Sequence, residues 1–236
     1  MARILIKSVR ISFSRFIIPG ILLIVFICTI SFFSGSGILR TTTHTAETIV
    51  LVDAGHGGYD PGVKAGKVLE KDLTLTVAKK LKTALEQRGM QCALTRDTDT
   101  DFAEKGQQGK IAKRGDLNKR IEIATQTRAQ IFVSIHVNNS TLATRGGAEV
   151  FYNQVDGAQQ LGEAIQDSLH RIPGMSKRSA KPETYYLLRN LNMPAVIVEI
   201  GYLNIAVERQ KLTNPEYQEQ LAQAIASGIE EFVKGK

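Results

Sequence analysis

Only two cysteines occur in this 236-residue chain, Cys28 and Cys92. Cys28 falls in an apolar N-terminal run and Cys92 in the body, so the two are not expected to pair. The body therefore has no internal disulfide and no cysteine-based metal site, and must hold together through its core. Hydrophobic residues make up 43% of the chain, enough for such a core. Cys92 reads as a small buried strand residue. Acidic residues are missing from the first forty positions, where Arg3, Lys7, Arg10, Arg15 and Arg40 supply five of the formal charge of +7. Residues 41–236 carry only +2, which removes the main support for nucleic-acid binding. Equally absent are a G-x-S-x-G nucleophile elbow, a phosphate loop, a dinucleotide fingerprint and any internal repeat. Asp97, Asp99 and Asp101 begin like a calcium loop. Phe102, however, stands where the turn needs glycine, and Gln108 where a chelating glutamate belongs.

The first forty residues do contain a leader. Residues 16–33, FIIPGILLIVFICTISFF, carry no charge. As a helix they span about 27 Å, close to the hydrocarbon thickness of a bilayer. Basic residues before the run predict a cytoplasmic N-terminus and an exported remainder. The run 34-SGSG-37 offers small residues but no Ala-x-Ala site. Residues 1–40 thus read as a cleaved signal peptide or as an uncleaved membrane anchor, 41–48 as a polar linker, and 49–236 as one folded domain.

The body alternates strand and helix. Apolar runs at 49–53, 91–95, 131–135, 148–152 and 195–200 read as strands, several of them buried on both faces. Leu73, Val77, Leu81 and Leu85 recur every four residues in a helix closed by Gly89. Asp116 is placed as the cap of a second helix, with Leu117, Ile121 and Ala124 on one face. A third helix is expected near 157–171, and Asn214–Pro215 opens the last. The polar stretch 97–115 reads as a mobile surface loop, and 177-KRSAKP-182 as a solvated one with a minor chance of meeting an anionic substrate. The fold class is α/β with a mainly parallel sheet covered on both sides; strand order does not follow from the sequence.

Functional groups in such sheets gather beyond the carboxyl ends of the strands. His56 sits among glycines in 53-DAGHGGYDPG-62, just past the first strand, and His136 directly follows 131-IFVSI-135. Glu199 lies near the end of 195-AVIVEI-200, where a carboxylate without a partner is costly. Glu70 opens the first helix. Two imidazoles and a carboxylate make a zinc triad with one position open for water, and a further carboxylate can take that water's proton. His44 and His170 are expected to face solvent.

The segments 53-DAGHGGYDPG-62, 69-LEKDLTL-75, 95-TRDTD-99, 134-SIHVN-138 and 194-PAVIVEIGYL-203 together resemble the zinc-dependent N-acetylmuramoyl-L-alanine amidases, the Amidase_3 family. With 113-KRGDLNKR-120 they look nearest to the spore-cortex, germination-specific members. The resemblance spans about residues 49–233 and implies a six-stranded twisted sheet flanked by helices. It further implies that His56, Glu70 and His136 hold zinc, that Glu199 is the catalytic carboxylate, and that Asn138 touches substrate. The substrate would be the amide between the muramoyl lactyl group and L-alanine of peptidoglycan. The place would be extracytoplasmic, between the forespore membranes of a spore former, with an activator protein left open. Departures occur at 201-GYLNI-205 and Asn138–Asn139, near substrate contacts rather than at the ligands. Two other readings stand beside it: a wall-binding protein that no longer cuts, and a zinc carboxypeptidase acting within the stem peptide.

Overall fold

The computed structural model describes residues 48–104, 106–139 and 146–235. The expected leader, with Cys28, and the linker carrying His44, all but its last residue Thr48, lie outside the described residues. Among the described residues no helix is long and apolar enough to cross a membrane.

Six strands form one sheet. β1 (Ile49–Ala54), β4 (Gln91–Leu94), β5 (Ile131–Asn138) and β8 (Ala195–Tyr202) run parallel, and β6 (Glu149–Tyr152) lies antiparallel against β8. With β7 (Lys181–Pro182) at the far edge, the order is β4-β1-β5-β8-β6-β7. A two-residue hairpin, β2 (Lys64–Ala65) with β3 (Val68–Leu69), leads into the first helix. The mainly parallel six-stranded sheet is as expected; the reversal at β6 carries no mark in the apolar pattern.

Strand alternation divides the core in two. Val50, Val52, Val133, Ile135, Val196 and Val198 pack under α1 (Glu70–Glu86), α3 (Ala158–Leu169) and α6 (Pro215–Lys234). Leu51, Phe132, Ala195 and Ile197 face the other way, towards α2 (Gly109–Gln126) and the short α4 (Tyr186–Arg189). By the same alternation His136 and Glu199 belong to the second face. Cys92 is half-buried in β4 against the larger core, and burial pushes its thiol up to about 12. Asn214 caps α6 as expected, its side chain accepting from the amides of Glu216 and Tyr217. The one-turn α4 and α5 (Ala206–Leu212) were not anticipated.

Three expectations need correction. α2 begins at Gly109, and Asp116 lies inside it rather than at its cap. The buried positions of α2 are Ala112, Asp116, Arg120 and Ala124, so two of the four along its inner stripe are charged. That stripe is invisible to a search for apolar periodicity. The 97–108 loop is tied down: Asp99 accepts from Gly58 N and Lys71 Nζ, and Asp101 from Tyr59 N. His170 does not point into solvent but is mostly buried, with Gln166 Nε2 at 3.3 Å.

Candidate active site

The turn leaving β1 places His56 at a φ of 61°, a left-handed conformation that non-glycine residues seldom adopt. Two buried arginines hold it there. Arg120 Nη2 donates to the His56 carbonyl at 2.7 Å and Nη1 to that of Ala54 at 2.8 Å. Arg96 reaches the same turn, donating from Nε to Ala54 O at 2.9 Å and from Nη2 to Gly55 O at 3.0 Å. Three successive carbonyls are thus satisfied by guanidinium groups, which offsets a local strain of about 1–3 kcal/mol.

Crowding explains two of the glycines. A Cβ on Gly55 would stand 2.5 Å from the His136 ring. One on Gly62, whose φ is 63°, would stand 2.4 Å from Glu70 Oε2 and 2.7 Å from His56 Cδ2. Any side chain at either position displaces a member of the cluster.

Glu70 is the first residue of α1, and both of its oxygens are engaged. Oε2 accepts from Val63 N at 2.8 Å, and Oε1 from Val137 N at 2.9 Å. Around Oε1 stand His56 Nε2 at 3.1 Å and His136 Nδ1 at 3.0 Å. The three atoms lie within 4.8 Å of one another. Asp60 Oδ2, 2.8 Å from His56 Nδ1, commits that nitrogen and leaves Nε2 as the ligand atom. For His136 the atom facing the cluster is Nδ1.

The electrostatics favour a cation. Burial opposes a charged imidazole at His56, yet the bonds to Asp60 and Glu70 push it up to about 9. Its partner Asp60 is drawn down to about 2, chiefly by His56. Burial also opposes the charged form of Glu70, but His136 and His56 hold it well below the usual carboxylate range.

Glu199 pairs in register with His136 on the neighbouring strand. Its Oε2 is buried with no hydrogen-bond partner among the described residues. Burial pushes this carboxyl up to about 7, against the lowering influence of His136. An open cleft of about 380 Å³ exposes Glu199, His56 and His136, with Lys113, Tyr185 and Ile197 among its other walls.

Two imidazole nitrogens and one carboxylate oxygen are the donor set of a catalytic zinc site. The spacings of 3.0 and 3.1 Å also approach the roughly 3.3 Å between ligands of a tetrahedral ion. The residues fit such an ion, and an orphaned carboxylate oxygen sits one strand away.

Sequence reasoning anticipated His56, Glu70, His136 and Glu199, and the fold gathers all four at one sheet edge. Asn138 ends β5 on the same edge, half-buried, its carbonyl accepting from Leu203 N at 3.0 Å. Among the described residues it does not line the cleft. The residues missed are those beneath the site: Asp60, Arg96, Arg120 and Asp53. Asp53 accepts from Arg120 Nη1, Ser134 Oγ and Thr95 Oγ1. Asp60 had a signal, four residues beyond His56 in the same glycine turn.

Comparison with known proteins follows the same lines. The profile of the N-acetylmuramoyl-L-alanine amidase family, Amidase_3, matches residues 50–231. The germination-specific N-acetylmuramoyl-L-alanine amidase of Bacillus subtilis is 33% identical over 184 residues, 77% of this chain and 78% of that protein. Among solved structures, the CwlD amidase of Clostridioides difficile in complex with the GerS lipoprotein superposes with a TM-score of 0.77 at 32% identity. The match covers 80% of this chain and 100% of that one. The amidase AmiC2 of Nostoc punctiforme gives 0.69 at 36% identity, covering 79% and 97%.

Proposed function

This chain belongs to the N-acetylmuramoyl-L-alanine amidase family and is such an amidase, and from that premise we propose that it works with zinc, held by His56, Glu70 and His136, while Glu199 moves the proton. The bond cut joins the muramoyl lactyl carbonyl to the nitrogen of L-alanine. When bound, zinc would polarise that carbonyl and lower the pKa of the attacking water towards about 7. The water oxygen bonds to the carbonyl carbon as the C–N bond breaks. Glu199 accepts the water's proton and delivers it to the departing nitrogen. Asp60 keeps the His56 ring in one tautomer, and Arg96 and Arg120 keep its turn from relaxing.

The observation that carries this reading is the three-atom cluster around Glu70 Oε1 with the partnerless oxygen of Glu199 on the adjoining strand. Digestion of purified sacculi tests it. The expected products are peptides with new L-alanine N-termini and no new reducing sugar ends, formed by zinc-loaded protein and not by chelator-stripped protein. Release of free amino acids with the sugar–peptide link intact would instead mark a carboxypeptidase. No release at all would mark a wall-binding protein.

The enzyme acts on the extracytoplasmic side, where peptidoglycan lies. Its likeness to a germination-specific amidase supports a role in spore-cortex maturation, and the charge-free run 16–33 supports residues 1–40 as signal or membrane anchor. That role predicts a cortex without muramic lactam in a deletion strain; unaltered lactam would contradict it. A protein partner is supported by the neighbour whose structure is a complex with a lipoprotein.

A further inference from the structure

His56 and Glu70 reach the centre from the two ends of one connection, which carries the His56 turn and the β2–β3 hairpin. His56, Gly57 and Gly58 have φ of 61°, 130° and 52°, three positive values in succession. Two of the three are glycines, which leave that region as readily as they enter it. Arg96 and Arg120 hold the carbonyls of Ala54, Gly55 and His56, the half of the turn that leads up to the ligand. The half beyond His56 needs a second clamp.

The loop 97–102 is that clamp. Its ends are fixed by buried groups: Arg96 Nη1 donates to Thr98 O at 3.1 Å, and Phe102 N to Asp116 Oδ1 at 3.0 Å. Between those anchors Asp99 accepts from Gly58 N at 2.8 Å through Oδ1, and from Lys71 Nζ at 2.6 Å through Oδ2. Lys71 Nζ in turn donates to Gly58 O at 2.9 Å. Gly58 lies just beyond His56, and Lys71 directly follows Glu70 on α1. These bonds close a ring that spans the two ligand-bearing segments. Beside it Tyr59 N donates to Asp101 Oδ2 at 3.2 Å. The loop lies so close that a Cβ on Gly57 or Gly58 would collide with Thr100 O or Asp101 Oδ2. As an ion pair, Lys71–Asp99 adds little to folding stability, because half of the Asp99 side chain is exposed. What it fixes is the separation of the His56 and Glu70 segments.

We propose that Asp99, acting through Gly58 and Lys71, is a positioning residue that sets His56 against Glu70 for the metal. The inference rests on the ligand assignment above. Its test is the zinc affinity of the full-length protein, measured by competition with a chromophoric chelator. Asp99→Ala and Lys71→Met should each bind zinc about 10–100-fold more weakly, the usual cost of removing a group that orients a ligand. The double variant should be little worse than either, since both changes open the same ring. Asp97→Asn, which removes the same charge from an exposed position of the same loop, should bind zinc like wild type. Chelator-stripped Asp99→Ala and Lys71→Met should melt within about 4 °C of stripped wild type. Excess zinc should return the kcat of both to the wild-type value. Stripped variants that both melt far below that range would assign the ring to stability and overturn the inference. A loss in Asp97→Asn as large as in Asp99→Ala would assign the effect to charge alone and overturn it too. A wild type that binds no zinc would defeat the ligand assignment together with the inference. Tight binding by wild type and both single variants alike defeats the inference alone.

Discussion

Glu199→Gln is expected to lower turnover by about 10³–10⁴-fold while leaving the metal content unchanged. The expectation follows from where the carboxylate sits. Its Oε2 has no hydrogen-bond partner among the described residues, so none of them takes up the lone pairs that must accept a proton. Burial raises its pKa to about 7, close to the pH at which a general base combines availability with strength. Glutamine preserves shape and volume but cannot take the proton, and both halves of the reaction use it. The residue lies outside the three-atom cluster, so the ligands are untouched. Stability supplies a control with a definite sign. A carboxyl raised from 4.5 to about 7 favours folding fully below pH 4.5, and that contribution is lost as pH rises through 7. Chelator-stripped Glu199→Gln should therefore be no less stable than stripped wild type at pH 8. A variant with near wild-type turnover, or one that is inactive only because it is unfolded, would contradict the assignment.

Arg120→Met should cost about 3–5 kcal/mol of stability, the usual consequence of stripping one partner from a buried ion pair. For a domain of this size that is a fall in Tm of roughly 6–20 °C. Arg120 is 1% exposed and answers to Asp53 and Asp116 together, besides the carbonyls of Ala54 and His56. Methionine fills much of the space but leaves two buried carboxylates without their cation. The pH dependence separates this cause from a simple packing defect. Burial pushes the Asp53 carboxyl up, yet the Arg120 guanidinium and the hydroxyls of Ser134 and Thr95 overcome it and hold the group below the usual carboxylate range. Its contribution is present above pH 3.8 and is lost as pH falls towards the folded value. Without Arg120 the burial effect prevails and the sign reverses, so the gap between variant and wild type should be widest near pH 7–8 and narrow towards pH 4. Thermal melts across that range measure it. A gap that is constant with pH, or a Tm within about 2 °C of wild type, would contradict the account.

These two residues also mark the boundary of what the sequence makes legible. Glu199 could be found because a carboxylate inside 195-AVIVEI-200 violates the apolar pattern of a buried strand. His56 and His136 could be found because strand ends in a parallel sheet converge on one edge. Arg120 could not, because its burial depends on Asp53, 67 positions away in the chain. On its own helix it repeats a polar pattern that reads as solvent-facing. The segments 95-TRDTD-99 and 113-KRGDLNKR-120 stand among the marks of the family, yet the chemistry of Arg96 and Arg120 emerges only once their guanidinium groups are seen on the carbonyls of Ala54, Gly55 and His56. The reversed β6 was illegible for a related reason. Its hydrogen bonds run to β8, whose direction relative to it leaves no trace in either strand's composition. That reversal nonetheless brings Glu149 beside Glu199.

The most direct measurement is the metal content of the purified full-length protein, taken alongside its activity. The account predicts about one zinc ion per chain in wild type and in Glu199→Gln, and essentially none in His136→Ala. It also predicts that chelation abolishes amide cleavage and that added zinc restores it. Full cleavage by wild-type protein shown to be free of divalent metal would contradict it.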